Sequence, residues 1–329
     1  MESINIAFSD FWEGFNYREN FITKILSSKY QINIVNLEDN PDILFYSFFG
    51  TKNLKVNLNT IKVYFTGEND VPDFNMCDYG ISFNYINFGE RHFRLPLYVL
   101  YPSFERLRNS EVIKSHQLNR DFCSVVISNS KKCDPTRIRF FEQLNKYKTI
   151  ASGGLFANNI GGRVKNKLSF LSNYKFNIAF ENSNIVGYTS EKLIDALASG
   201  TLPIYWGNPL VHLEIDERTF ININNFKSFN DAIEYIKEID NNSELYNQYF
   251  TVNPFTNNKY LEWEKSFFSF LSNIVESRTK YITSYGGMGI IKETRTIQSG
   301  LYRFYNVFKL FPNVFKLKYI LSLGHQYNK

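Results

Sequence analysis

Between residues 176 and 209 the hydrophobic pattern changes period twice. Residues 176–180 (Phe-Asn-Ile-Ala-Phe) are apolar and partly alternating, which predicts a strand. Glu181-Asn182-Ser183-Asn184 interrupts the run, and Gly187 permits a tight turn. Leu193, Ile194, Ala196 and Leu197 then recur at helical spacing until Gly200, and residues 202–206 form a second apolar strand. Thr189 or Ser190 is placed to cap the helix, because a side-chain oxygen there can accept from an orphan backbone N–H. The pattern predicts a βαβ unit, and the strand-to-helix end of such a unit is where α/β proteins bind ligands.

The same alternation of periods runs through the rest of the chain. Strands are predicted over 4–8, 32–35, 43–49, 63–65 and 79–83, with a helix over 17–28. After a mostly polar stretch from Arg106 to Asp121, a new strand starts at 122–128, and a helix opens near Pro135. A strand over 220–223 and helices over 229–239 and 261–274 follow. Strand–helix alternation of this kind predicts mainly parallel sheets covered by helices. With 329 residues, the chain is long enough for two domains, and we expect their boundary near residue 118.

Composition narrows the class. Hydrophobic residues make up 43% and charged residues 21%, enough apolar content for large cores. The cysteines, Cys77, Cys123 and Cys133, are scattered, odd in number and lack metal-ligand spacing, which argues for a reducing compartment. Met1-Glu2-Ser3 leads into the first predicted strand rather than into a signal sequence, and no apolar run is long enough to span a membrane. The net charge of +5 is uneven: residues 291–329 carry seven Lys or Arg and one acid, Glu293. A near-neutral body with a basic end, lacking a recognisable nucleic-acid motif, argues against a nucleic-acid partner.

The polar residues of the βαβ unit suit a nucleotide diphosphate. Orphan N–H groups and the helix dipole favour phosphate, and Lys192 adds a mobile cation. Glu191 suits a sugar diol, offering acceptor oxygens to neighbouring hydroxyls. Elsewhere, the strand Val63-Tyr64-Phe65 ends in Thr66-Gly67-Glu68-Asn69, so Glu68 sits at the carboxyl end of a strand and faces a cleft. Arg137 and Arg139 lie in the first turns of the helix near Pro135. His92 could serve as a base, although a lone His beside a strand is more often structural, and Gly153-Gly154 could cradle phosphate or simply connect strands.

Phe180-Glu181-Asn182-Ser183, Gly187-Tyr188 and Ser190-Glu191-Lys192 together resemble the signature of the α1,3/α1,4-fucosyltransferases, with Ser190 where that family more often has Thr. Residues 64–69 and Pro72-Asp73-Phe74-Asn75 resemble the family's Y-T-G-E-N and Pro-x-Phe-Asn segments, with Phe65 in place of a tyrosine found in bacterial relatives. Arg94-Leu95-Pro96-Leu97-Tyr98 and Phe140-Phe141 carry the likeness further, and it covers about residues 63–274. The resemblance implies a GT-B fold, with two Rossmann-like domains facing a cleft. It divides the chain into an acceptor-side domain over 1–117, a GDP-fucose-binding domain over 118–285 and a basic aromatic tail over 286–329.

The resemblance also implies roles. Glu68 becomes the general base; Arg137, or Arg139 two residues on, contacts the pyrophosphate; Asn182, Tyr188, Glu191 and Lys192 hold the donor. The reaction expected is inverting transfer of L-fucose from GDP-fucose to the GlcNAc of an N-acetyllactosamine-type acceptor, such as a bacterial lipopolysaccharide precursor. Transfer in α1,4 linkage, another nucleotide sugar, or a non-catalytic GDP-sugar or glycan-binding module remain open alternatives. No D-x-D triplet occurs, so no metal is expected on the diphosphate, and Arg137, Lys192 and the helix N-terminus must neutralise the leaving group. Within the tail, apolar residues recur at near-helical spacing, with Arg303, Lys309, Lys316 and Lys318 between them and Pro312 in the middle. It reads either as a helix folded back on the first domain or as a peripheral anchor on anionic lipid, at the inner face of the cytoplasmic membrane.

Overall fold

The computed structural model describes residues 2–57, 59–109, 120–128, 133–255 and 258–281. The first half builds a parallel sheet from β1 (Ser3–Ser9), β2 (Gln31–Ile34), β3 (Ile43–Tyr46), β4 (Ile61–Phe65), β5 (Tyr79–Ser82) and β6 (His92–Arg94), in the order β2-β1-β3-β4-β5-β6. Helices α1 (Phe21–Leu26) and α2 (Pro102–Arg108) accompany it. The second half contains β7 (Asp121–Val125), α3 (Thr136–Leu144), β8 (Ile150–Ser152), α4 (Lys167–Leu171), β9 (Tyr174–Phe180), α5 (Glu191–Ala198), β10 (Leu202–Trp206), β11 (Ile221–Asn222), α6 (Phe229–Asn241) and α7 (Ser243–Gln248). Its sheet is also parallel, in the order β11-β10-β9-β7-β8. These are the two α/β domains that the alternating periods predict.

Several boundaries move for local reasons. The strand expected over 43–49 stops at Tyr46, because its partner β1 ends opposite at Ser9 and Asp10 turns the chain away with φ +60°. Phe48 and Phe49 are therefore exposed rather than in the sheet. The helix expected over 17–28 is confined to α1. Asn20 caps it by accepting from Ile22 N and Thr23 N, while Thr23 Oγ1 accepts from Asn20 N. The polar stretch expected from Arg106 starts only after α2, whose Phe104 and Leu107 are buried. The boundary expected near residue 118 and the tail over 286–329 lie outside the described residues.

The domains share a core. α8 (Trp263–Ser277) follows the second sheet in sequence but packs on α1, and its Trp263, Phe267 and Ile274 join the cluster around β1, β3 and β4. Leu193, Ile194 and Leu197 of α5 reach the same cluster, and α5 lies against α2 with Ser103 Oγ donating to Asp195 at 2.5 Å. Arg94 of β6 pairs with Glu214 of the second domain at 2.5 Å, in a largely buried setting, with its guanidinium 3.7 Å from the Tyr85 ring centroid. Breaking such a pair leaves an uncompensated charge and costs about 3–5 kcal/mol. This contact therefore helps to join the two domains.

Candidate active site

The turn between β9 and α5 is organised by Glu181, the first residue after the strand. Its carboxylate is fully buried and accepts from Ser190 N (2.7 Å), Ser190 Oγ (2.7 Å) and Lys192 Nζ (3.0 Å). Ser190 occupies the N-cap position, as expected, but makes no side-chain cap bond. Its hydroxyl instead donates to Glu181 and accepts from Lys192 Nζ, so its oxygen is taken up by the ammonium rather than by the helix N–H groups. Gly207 leaves room for this arrangement, since a Cβ there would sit 2.5 Å from Glu181 Cγ and 2.8 Å from Tyr205 Oη.

Lys192 also donates to Ser190 Oγ at 2.7 Å. Burial alone would lower its pKa, but Glu181 and Glu191 outweigh that and hold the ammonium above its ordinary value. Glu191 lies 3.3 Å from Lys167 and 3.9 Å from Lys192. Burial would raise its pKa; the two lysines and local hydrogen bonds prevail and bring it down to about 2. Both groups are therefore charged near neutrality.

Arg137 of α3 is buried and donates from Nη1 to Asn182 Oδ1 at 2.7 Å. Its Nε has no hydrogen-bond partner among the described residues, a costly state for a buried donor. Arg139, two positions on, is exposed and makes no such contact with the signature. Of the two arginines, the fold thus brings Arg137 to Asn182.

Tyr188 is buried and packs on Phe83 at the end of β5, with ring centroids 5.1 Å apart. Gly187 makes that approach possible. It has φ +86°, donates to Asn208 Oδ1 at 2.8 Å, and lies where a Cβ would be 2.5 Å from Phe83 O. Burial raises the Tyr188 pKa, as do the fields of Glu181, Glu68 and Glu191. Glu68 is therefore within electrostatic reach of the second domain's signature. It is exposed on the loop after β4, with its N–H donating to Thr66 Oγ1 at 3.0 Å. Phe65 is buried among Phe11, Trp12 and Phe21 and needs no polar partner.

His92 is a strut. Its Nε2 lies 2.9 Å from Ser82 Oγ and its Nδ1 3.1 Å from Ile86 O, and burial lowers its pKa. The carbonyl can only accept, so in the neutral ring Nδ1 carries the proton. Gly153 and Gly154 serve packing, since side chains there would collide with Val164 and with the Ile127 backbone. Sequence reasoning missed Tyr101, at the start of α2. It stands at the N-cap of α2, the helix that packs on α5; desolvation of the phenol and then the field of Glu191 push its pKa up to about 12, although the residue as a whole is exposed. No local motif signals that neighbour. Among the described residues, no group of three or more His, Cys, Asp and Glu side chains is gathered for a metal.

Two family models cover most of the chain. One, described as the alpha-(1,3)-fucosyltransferase FucT N-terminal domain, matches residues 6–101; the other, described as glycosyltransferase family 10 (fucosyltransferase) C-term, matches 117–282. An alpha-(1,3)-fucosyltransferase FucT of Helicobacter pylori is 32% identical, over 84% of this chain and 67% of its own length. Alpha-(1,3)-fucosyltransferase B of Drosophila melanogaster is 31% identical over 54% of this chain and 46% of its own length. A crystal structure of an alpha1,3-fucosyltransferase superposes with TM-score 0.75 at 30% identity, covering 86% of this chain and 92% of that one. A structure of such an enzyme with GDP-fucose superposes with TM-score 0.72 at 29% identity, covering 86% and 94%.

Proposed function

The chain belongs to glycosyltransferase family 10, the fucosyltransferases, and is a glycosyltransferase; from that premise we propose that it moves L-fucose from GDP-fucose to the GlcNAc of an N-acetyllactosamine-type acceptor, in α1,3 linkage and with inversion. The observation that carries this reading is the cluster of Glu181, Ser190, Lys192, Asn182 and Arg137 at the β9–α5 turn, whose Tyr188 packs on Phe83 at the carboxyl end of β5. Lys192 and Arg137 stand on the second domain, and the Glu68 carboxylate on the first is close enough to perturb Tyr188. The solved relative with GDP-fucose supports the donor.

In this reading the acceptor hydroxyl attacks the anomeric carbon of fucose while the bond to the β-phosphate oxygen breaks. Glu68 takes the hydroxyl proton. The departing charge is met by Arg137 and by Lys192, whose ammonium has three donors and uses two of them on Glu181 and Ser190. Asn182 holds Arg137 in place. Glu191, ionised and anchored by Lys167, accepts from sugar hydroxyls. A base and a leaving group on opposite faces of the ring give one displacement with inversion, as in inverting glycosidases with a sugar hydroxyl in place of water. These residues do the work without a metal on the diphosphate.

The seven cations against one acid in residues 291–329 further support peripheral contact with anionic lipid, at the cytoplasmic face of a membrane where a lipid-linked acceptor is found. Transfer in α1,4 linkage or from another nucleotide sugar is the competing reading. A donor panel offered with N-acetyllactosamine and read by mass spectrometry decides the donor, and NMR of the purified product decides the linkage. The expected product is a deoxyhexose adduct from GDP-fucose alone; equal or better use of another sugar nucleotide overturns the assignment.

A further inference from the structure

β1, β3 and β4 are adjacent and parallel, with Ser9 opposite Tyr46 and Tyr46 opposite Tyr64. Trp12, Phe48-Phe49 and Glu68 each follow these positions by only a few residues, so they share one carboxyl edge of the sheet. Trp12 is 39% exposed, Phe48 44% and Phe49 47%. Their rings nevertheless form a contiguous group. Phe48 and Phe49 stack with centroids 4.2 Å apart, Trp12 meets Phe49 edge-on at 6.4 Å, and Trp12 lies 6.4 Å from Phe65. Phe65 precedes Glu68 by three residues, a span of at most about 10 Å.

The two loops bearing these rings are tied together. Asp10 is buried, and its carboxylate accepts from Lys52 N at 3.0 Å and Asn53 N at 2.8 Å. A side chain on Gly50 would collide with it. The rings are therefore held in place rather than left on mobile loops. A contiguous exposed aromatic patch calls for a ligand, and this one adjoins the carboxylate assigned as base.

We propose that Trp12, Phe48 and Phe49 form the acceptor subsite, stacking on the apolar face of a pyranose that neighbours the ring whose hydroxyl is fucosylated. An aromatic face, electron-rich at its centre, suits the C–H groups of one side of a sugar ring. A platform beside Glu68 rather than around it holds a neighbouring ring, so it selects an oligosaccharide over a monosaccharide. This rests on the transferase reading above and deepens it.

Trp12 provides the probe. The chain has three tryptophans, and Trp206 and Trp263 are buried. N-acetyllactosamine is titrated against the full chain while tryptophan emission is followed, with GlcNAc, GDP and anionic vesicles as parallel arms. The disaccharide should change the emission saturably, GlcNAc should do so far more weakly, and Trp12→Phe should abolish the signal. In kinetics, Phe49→Ala should raise KM for the disaccharide about tenfold, with kcat and GDP affinity unchanged. The proposal is overturned if the disaccharide leaves Trp12 emission unaltered, or if KM does not move in Phe49→Ala. It is equally overturned if GDP affinity falls in parallel, or if only vesicles change the emission, which would make the patch a lipid contact. The titration needs no turnover, so a failure of the transferase reading is seen separately, as absence of product from the unsubstituted chain.

Discussion

Gly187→Ala probes the contact that seats the signature loop against the first domain. At φ +86° an alanine pays the left-handed penalty of about 1–2 kcal/mol. Its Cβ would lie 2.5 Å from Phe83 O and 3.4 Å from Phe83 C and Tyr85 Cδ2. A relaxed carbon–oxygen contact is about 3.3–3.6 Å, so the loop or the end of β5 must retreat by roughly 1 Å. Overpacking of this kind costs about 1–3 kcal/mol, giving about 2–5 kcal/mol in all. At about 2–4 °C per kcal/mol, the melting temperature should fall by roughly 4–20 °C. Tyr188 is the next residue, so GDP affinity should drop as well, by about tenfold. Scanning calorimetry and titration calorimetry with GDP measure both. Gly162→Ala is the control: its φ is not left-handed, nothing lies within 4 Å of the added carbon, and it should be silent. A Gly187→Ala chain that melts with the control and binds GDP normally would refute the account of how the loop is held.

Other expectations follow from the charged groups. Glu68→Gln keeps the shape of the side chain but cannot take a proton, so kcat should fall by about two orders of magnitude or more with GDP affinity nearly unchanged; near-normal turnover removes Glu68 from the role. Lys192→Ala and Arg137→Ala each remove a charge-assisted donor contributing about 1.5–3 kcal/mol, so GDP affinity should fall roughly ten- to a hundredfold by calorimetry. Unaltered binding in both would displace the donor site. Glu191 has its pKa lowered from 4.5 to about 2 in the folded chain. Its contribution, on the order of 3 kcal/mol, is complete above pH 4.5 and lost as pH falls toward 2. The stability gap between the unsubstituted chain and Glu191→Gln should therefore narrow by about half between pH 6 and pH 3 in denaturant titrations; a gap independent of pH contradicts the ion-pair assignment.

The elements that depend on local pattern were legible in the sequence. β9, α5 and β10 follow from apolar periodicity around Glu181-Asn182 and Gly200, and β4 from the run ending at Thr66. Contacts set by distant partners were not. The sequence over 43–49 is apolar except for Ser47, and the end of β1 at Ser9 explains why the strand stops at Tyr46. Ser190 has the chemistry of a cap, but the fully buried carboxylate that engages it comes from nine residues earlier, beyond any capping motif. The periodicity of α8 says that one face is buried without saying that it packs on α1. Tyr101 near α5 and the ring group around Trp12 arise from segments brought together by sheet order, which no spacing in the chain signals.

The claim that joins these observations is that Glu68 and the Lys192–Arg137 side act on one sugar in one displacement. Time-resolved proton NMR of the full chain with GDP-β-L-fucose and N-acetyllactosamine observes it directly through the anomeric signal of the product. The account predicts that the donor's β-anomeric signal is replaced by that of an α-L-fucoside on GlcNAc, with GDP released in equal amount. A β-linked product, a fucosyl-enzyme that accumulates before the glycan is modified, or no transfer to the glycan at all would contradict it.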